Sequence, residues 1–211
     1  MTIEQTRRRL LKATLPHVAF DGWTGTALQA GAKDAGLDRA AALNAFPGGA
    51  AELIEFFSAE ADRQMLARLE TLDLPAMKVR ERVVTAVRMR LTQLAPDREA
   101  VRRGLAFLAL PQHAPLGVKC LYRTVDAIWY AAGDTSTDYN FYTKRLLLAG
   151  VYASTLMFWL NDRSEGNAET WSFLERRIAE VLKVGGRVGK TVGALLDLPD
   201  RLFRLRAGGR R

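Results

Sequence analysis

From Leu146 to Leu160 the chain runs LLLAGVYASTLMFWL, and no charge interrupts it between Arg145 and Asp162. A helix apolar on most of its sides is buried or lines an apolar cavity. The run is too short to span a membrane, which takes about 20 residues. Upstream, Gly133 to Thr137 reads as a polar turn, and Thr137 or Asp138 is the expected N-cap, since either side chain can accept from free backbone N–H groups. The first turns mix Asp138, Phe141, Tyr142, Lys144 and Arg145, so one helix is expected to join an apolar interior to an aromatic, charged surface.

Around it the chain reads as helical throughout. Apolar residues at helical spacing predict helices over Thr6–Val18, Thr26–Ala35, Arg39–Ala45, Ala50–Thr71, Lys78–Ala95, Asp97–Leu110, Pro115–Ala132 and Thr170–Leu182. Gly36 is suited to end the second helix, and FPGG at 46–49 breaks the third. No alternating strand pattern and no internal repeat is found. The fold class expected is all-α, with a head over 1–70, a helical body over 71–183 and a basic amphipathic segment over 184–211. The order of elements in the head is that of a helix-turn-helix module.

Charge and chemistry narrow the function. The net charge is +8, and Trp171–Arg211 holds ten bases against four acids. An excess of that kind favours an anionic partner, nucleic acid or an acidic lipid surface. Cys120 is alone, so no intramolecular disulfide is possible and a reducing compartment is expected. Lying in VKCLY, it reads as a small buried hydrophobe. His17 reads as a core or boundary residue and His113 as a loop residue. Two histidines and no Glu-x-x-His pair leave no di-iron or other metal site. GGRVGKT at 185–191 is not a phosphate loop, because Val184 stands where the motif needs glycine and a helix precedes it. No nucleophile, base and orienting acid can be assembled, so the chain is expected not to be an enzyme. MTIEQTRRRLLKATL already reads as an amphipathic helix, so no signal or transit peptide is expected ahead of it.

The stretch LLKATLPHVAFDGWTGTALQAGAKDAGLDRAAALNAFPGGAAELIEFF resembles the DNA-binding head of tetracycline-repressor-type regulators, chiefly through FDGWTGTAL and FPGGAAELI. The expected recognition helix, Arg39–Ala45, carries Arg39 as its only base, so phosphate contact and base readout would be poor. Farther on, WYAAGDTSTDYNFYTKRLLLAGVYASTLMFWLNDRSEGNAETWSFLERRI resembles the coenzyme Q biosynthesis protein nine family through its DxSTDxNxYTKR core and TWxFLxRRI. With the degenerate head, the resemblance covers about Ile3 to Gly185.

That resemblance implies a tetracycline-repressor-like helical bundle, dimeric, that binds isoprenoid quinone lipid and meets the membrane. It implies an accessory role beside the di-iron hydroxylase acting on demethoxyubiquinone. The contact with the hydroxylase falls on Asp138, Phe141 and Tyr142; the family often has Trp where this chain has Phe141. A lipid-lined hollow would draw on Leu105, Leu108, Leu121, Ile128, Trp129, Leu147, Val151, Phe158 and Trp159, which ordinary close packing would also explain. The terminal stripe with Arg187, Lys190, Leu195, Leu196, Leu202, Phe203 and Arg204 could lie on an anionic membrane or pack as a terminal helix. No cofactor is expected beyond the lipid ligand, and nucleic acid is not an expected partner. The location expected is the cytoplasm, on the inner face of a bacterial membrane, or the mitochondrial matrix side for a trimmed eukaryotic chain. The competing reading is a ligand-responsive, DNA-binding transcriptional regulator of the tetracycline-repressor type.

Overall fold

The computed structural model describes residues 2–134 and 139–181, with only the backbone described at 139 and 140. Among the described residues there is no strand. The helices are α1 (Ile3–Asp21), α2 (Gly25–Asp34), α3 (Arg39–Ala45), α4 (Gly49–Leu69), α5 (Val79–Thr92), α6 (Arg98–Leu108), α7 (Ala114–Ala131) and α8 (Tyr139–Asn161). A further helix, α9, covers 168–181. The helix starts follow local chemistry. Thr2 and Gln5 form a reciprocal capping box on α1. Thr24 caps α2 and Asp38 caps α3 through side-chain oxygens. Gly36, at φ 61°, turns the chain after α2 while the Leu37 amide donates to Ala32 O at 2.8 Å.

Two differences from the expected bounds have physical causes. Helix α5 ends at Thr92, not Ala95, because Pro96 has no N–H to donate to the Thr92 carbonyl, and a 3-10 turn takes over at Ala95–Asp97. Helix α1 runs past Val18 to Asp21 and is closed by the Gly22 amide donating to Val18 O.

Helices α1 to α3 and the first half of α4 enclose one core, centred on Leu10, Val18, Trp23, Phe46 and Leu53. The second half of α4 and helices α5 to α9 enclose another, centred on Met65, Leu69, Leu91, Ile128, Trp159 and Leu174. The long helix α4 therefore belongs to both, and Phe57 packs against each of them. Trp23 crosses the same boundary: its indole N–H donates to Ala100 O at 2.9 Å. The head is thus fastened to α6, which walls the site described next.

In the head, α2 lies so close to α1 that a Cβ on Gly31 would sit 2.2 Å from Thr14 Oγ1 and 2.6 Å from Thr14 Cα. Gly31→Ala is therefore expected to destabilise by about 1–3 kcal/mol through overpacking. Gly150→Ala, in a part of α8 where nothing lies within 4 Å of the new methyl, is expected to stabilise by about 0.5–1 kcal/mol. Urea midpoints of the two variants, shifted in opposite directions, check both.

Candidate functional site: an apolar chamber and an aromatic turn

Helices α4 to α8 line a half-open chamber of about 110 Å³. Its apolar walls are Ile54 and Phe57 from α4, Leu94 after α5, Val101, Leu105 and Leu108 from α6, and Leu156 from α8. Gly104 and Gly117 also face it and let α6 approach its neighbours closely. A Cβ on Gly104 would meet Ile54 Cδ1 at 3.1 Å.

One side of the chamber is polar. Asp62, at 4% exposure, holds Arg90, at 3% exposure. Arg90 Nε donates to Asp62 Oδ1 at 2.8 Å, and the Thr124 hydroxyl donates to the same oxygen at 2.8 Å. Arg123 Nε donates to Asp62 Oδ2 at 3.2 Å. Arg90 Nη2 donates to Ser58 O at 3.2 Å, while Nη1 is buried without a partner among the described residues. A buried ion pair of this kind is retained at a high desolvation cost, and removing one partner costs about 3–5 kcal/mol. Tyr152 and Cys120 complete this side, and burial pushes both of them up in pKa. Both are therefore protonated at neutral pH, and Cys120 is not a thiolate nucleophile.

The start of α8 is a second structured region. Asp134 receives Lys144 Nζ at 2.8 Å and Arg145 Nη1 at 3.3 Å. Arg145 Nε donates to Asp126 Oδ1 at 2.7 Å, and its guanidinium carbon lies 3.3 Å from the centre of the Phe141 ring. The Trp129 indole N–H donates to Lys144 O at 3.1 Å, tying α7 to α8. Phe141 meets Tyr142 edge-on at 5.1 Å, and Tyr142 and Leu146 face outward at 69% and 76% exposure. A cation under Phe141 fixes its ring and leaves Tyr142 as the projecting aromatic.

The expected lipid-contacting residues separate. Leu105 and Leu108 line the chamber. Ile128, Val151 and Trp159 are buried in the body core, and Leu121 and Trp129 are packed against it. Leu147 is partly buried. Phe158 stacks on Phe173 with ring centres 4.7 Å apart. In the expected partner face, Phe141 and Tyr142 are adjacent, while Asp138 lies outside the described residues. So do Arg187, Lys190, Leu195, Leu196, Leu202, Phe203 and Arg204. His17 is 2.6 Å from Asp34 Oδ2, and His113 stacks on Phe107. Among the described residues no group of His, Cys, Asp and Glu could hold a metal ion, and no helix is long and apolar enough to cross a membrane.

The sequence reading missed the Asp62–Arg90 pair and the Asp134–Arg145–Asp126 cluster. The first had a signal: Arg90 shares a helix face with Val83, Val87 and Leu94, and Asp62 shares one with Met65 and Leu69. A charge at an apolar register position on each of two successive helices points to a buried pair.

Residues 114–185 match the COQ9 family model. The chain is 36% identical over 191 residues to "Ubiquinone biosynthesis protein COQ9, mitochondrial" of Rattus norvegicus, covering 86% of this chain and 60% of that protein. The human protein of the same name is 35% identical over 189 residues, again 86% of this chain and 59% of that one. The Drosophila melanogaster protein is 33% identical over 195 residues, 90% of this chain and 60% of that one. The chain belongs to the COQ9 family. It spans about 60% of the length of these curated relatives. In fold it is similar to a TetR transcriptional regulator from Nitrosomonas europaea, with a TM-score of 0.69 at 22% identity, covering 83% of this chain and 97% of that one. The COQ9 match takes in α7, α8 and α9, and therefore the Asp134–Arg145 cluster and the α8–α9 turn.

That turn carries a titratable lock. Burial works to raise the pKa of Asp162, but hydrogen bonds from Ser164 and Thr170 outweigh it and hold the carboxyl at about 2, below the ordinary 3.8. Its Oδ1 accepts from the Ser164 amide at 2.8 Å and its Oδ2 from the Thr170 amide at 2.9 Å. A depressed carboxyl adds stability that is complete above its unfolded value and disappears as pH falls through its folded value. Asp162→Asn is therefore expected to be less stable than the parent near pH 6, with the gap closing between pH 3.8 and about 2. Thermal unfolding of both proteins across that range checks the sign.

Proposed function

We propose that this COQ9-family chain is a non-enzymatic lipid-binding accessory protein of ubiquinone biosynthesis. It takes up an isoprenoid quinone precursor and presents it to the demethoxyubiquinone hydroxylase at the membrane. The observation that carries the reading is the chamber between α4 and α8, apolar on most walls and polar on one, inside a fold whose relatives are named for ubiquinone biosynthesis. Apolar walls favour a prenyl chain, since each CH₂ withdrawn from water contributes about 0.8 kcal/mol. At about 110 Å³ the chamber is smaller than the engineered protein cavity, about 150 Å³, that holds benzene, so it accepts the end of a chain and not a substituted quinone ring.

The remaining assignments follow from the same reading. The Phe141–Tyr142 turn supplies an anchored aromatic and a projecting one, a suitable pair for a protein partner; Asp138 would extend that face. The basic segment beyond residue 183 would rest on an anionic membrane, on the matrix side in a mitochondrion or the inner face of a bacterial membrane. The protein would act as a homodimer. Catalysis would belong to the hydroxylase, and this chain would contribute substrate delivery. A DNA-binding role is disfavoured by α3, whose exposed residues are Arg39, Ala40, Leu43 and Asn44, with a single base among them.

Native mass spectrometry of the purified protein, followed by solvent extraction, tests the reading. The expected result is a mass increment on the folded chain and an extract containing isoprenoid quinones or their precursors. A lipid-free protein that also fails to take up added prenylated quinone would contradict it.

A further inference from the structure

The chamber has a neighbour. A groove of about 300 Å³ lies between α1 and α4, closed at its base by the residues after α5. Its floor is Leu11, Leu15, Phe57, Ala61 and Leu94, and its rim carries Arg8, Lys12, Glu60, Gln64, Gln93 and Asp97. Phe57 and Leu94 line both spaces. On α4, Ile54, Phe57 and Ser58 face the chamber, while Phe57, Glu60, Ala61 and Gln64 face the groove. These are adjacent stripes of one helix that share Phe57. The two spaces are therefore separated by the Phe57 ring and the Leu94 side chain.

Phe57 is placed to move. It is only partly buried, sits at the junction of the two cores, and its ring meets Trp23 at a tilted 43°, with centres 5.3 Å apart. The groove is also chemically unfinished. Gln93 donates to Ala61 O, yet its buried Oε1 has no partner among the described residues. Burial raises the pKa of Asp97 with no opposing charge to lower it. An apolar floor with amides at its edge suits a ring that bears oxygens. Arg8 and Glu60, paired at 3.2 Å, tie the two walls of the groove together.

We propose that groove and chamber are two halves of one elongated site, joined when the Phe57 ring swings aside. The oxygenated head ring of an amphipathic lipid occupies the groove beside Gln64 and Gln93, and its prenyl chain passes Phe57 and Leu94 to end in the chamber. This rests on the lipid-binding reading above and adds the position of the head and the path of the chain. Neither half suffices alone. The chamber falls below the span of about 300–1,000 Å³ typical of ligand pockets, and the groove reaches only its lower bound. Together they fall within that span, with room for a ring in the groove and a chain long enough to pass Phe57 into the chamber. The head remains near the surface, where another protein can reach it.

The test uses two benzoquinone probes, one with a single isoprene unit and one with several, titrated against the full chain and two variants. Gln64→Trp fills the groove from an exposed position, and Leu105→Phe fills the chamber; thermal unfolding verifies that each is folded. The long-chain probe is expected to lose at least about tenfold in affinity with either variant, whereas the short-chain probe loses it only with Gln64→Trp. Long-chain binding indifferent to Gln64→Trp would overturn the joined site. Short-chain binding sensitive only to Leu105→Phe would reverse head and tail, and so overturn the proposed orientation. If neither probe binds the unaltered protein, the lipid-binding reading falls as well.

Discussion

A single buried carboxylate organises the middle of this molecule. Asp62 on α4 receives Arg90 from α5 and both Arg123 and Thr124 from α7. In a low-dielectric interior such groups are costly unless paired, and their geometry is correspondingly strict. Three helices are thereby held at fixed azimuths around the chamber. Side chains of α6 and α8 close the remaining walls, mostly with Leu and Val. Close packing of apolar residues alone would fill such a space; the polar knot gives α4, α5 and α7 a reason to stand where they do.

A second knot acts at the surface. Asp134 and Arg145 lie at the two ends of the DxSTDxNxYTKR motif, and their contact joins the end of α7 to the start of α8. Arg145 then supports the Phe141 ring, and Tyr142 projects. The charged residues of the motif therefore have a structural task in addition to any task at an interface. The same holds at the far end of α8, where Arg98 donates to Asp162 O and Arg102 to Leu160 O, fastening the α8–α9 turn onto α6. Helix α6 is consequently held by the head through Trp23 and by α8 through two arginines.

Most of the fold was legible in the sequence because helix periodicity and capping are local. The positions of Leu10, Val18, Met65, Leu69, Val87 and Leu91 on apolar faces are readable from spacing, and all are buried. Helix ends were less legible where a neighbour intervenes, as at Pro96. The chamber was not legible. Leu105 and Ile128 are both branched apolar residues at helical spacing, yet one borders the chamber and the other is enclosed, a distinction set by how closely α6 approaches α4 at Gly104 and α7 at Gly117. Arg90 was readable only as a charge out of place; its partner, 28 residues earlier, is fixed by tertiary packing. The aromatic turn entered through resemblance, since spacing alone makes Phe141 and Tyr142 a pair of core aromatics.

The lipid site proposed for this protein is the chamber lined by α4 to α8. Photo-crosslinking with a quinone whose prenyl chain ends in a diazirine tests it most directly, with adduct sites located by peptide mass spectrometry. Adducts are expected on Leu105, Leu108 or Leu156, suppressed by excess unlabelled prenylated quinone. Adducts confined to the outer faces of the helices, insensitive to that competitor, would contradict it.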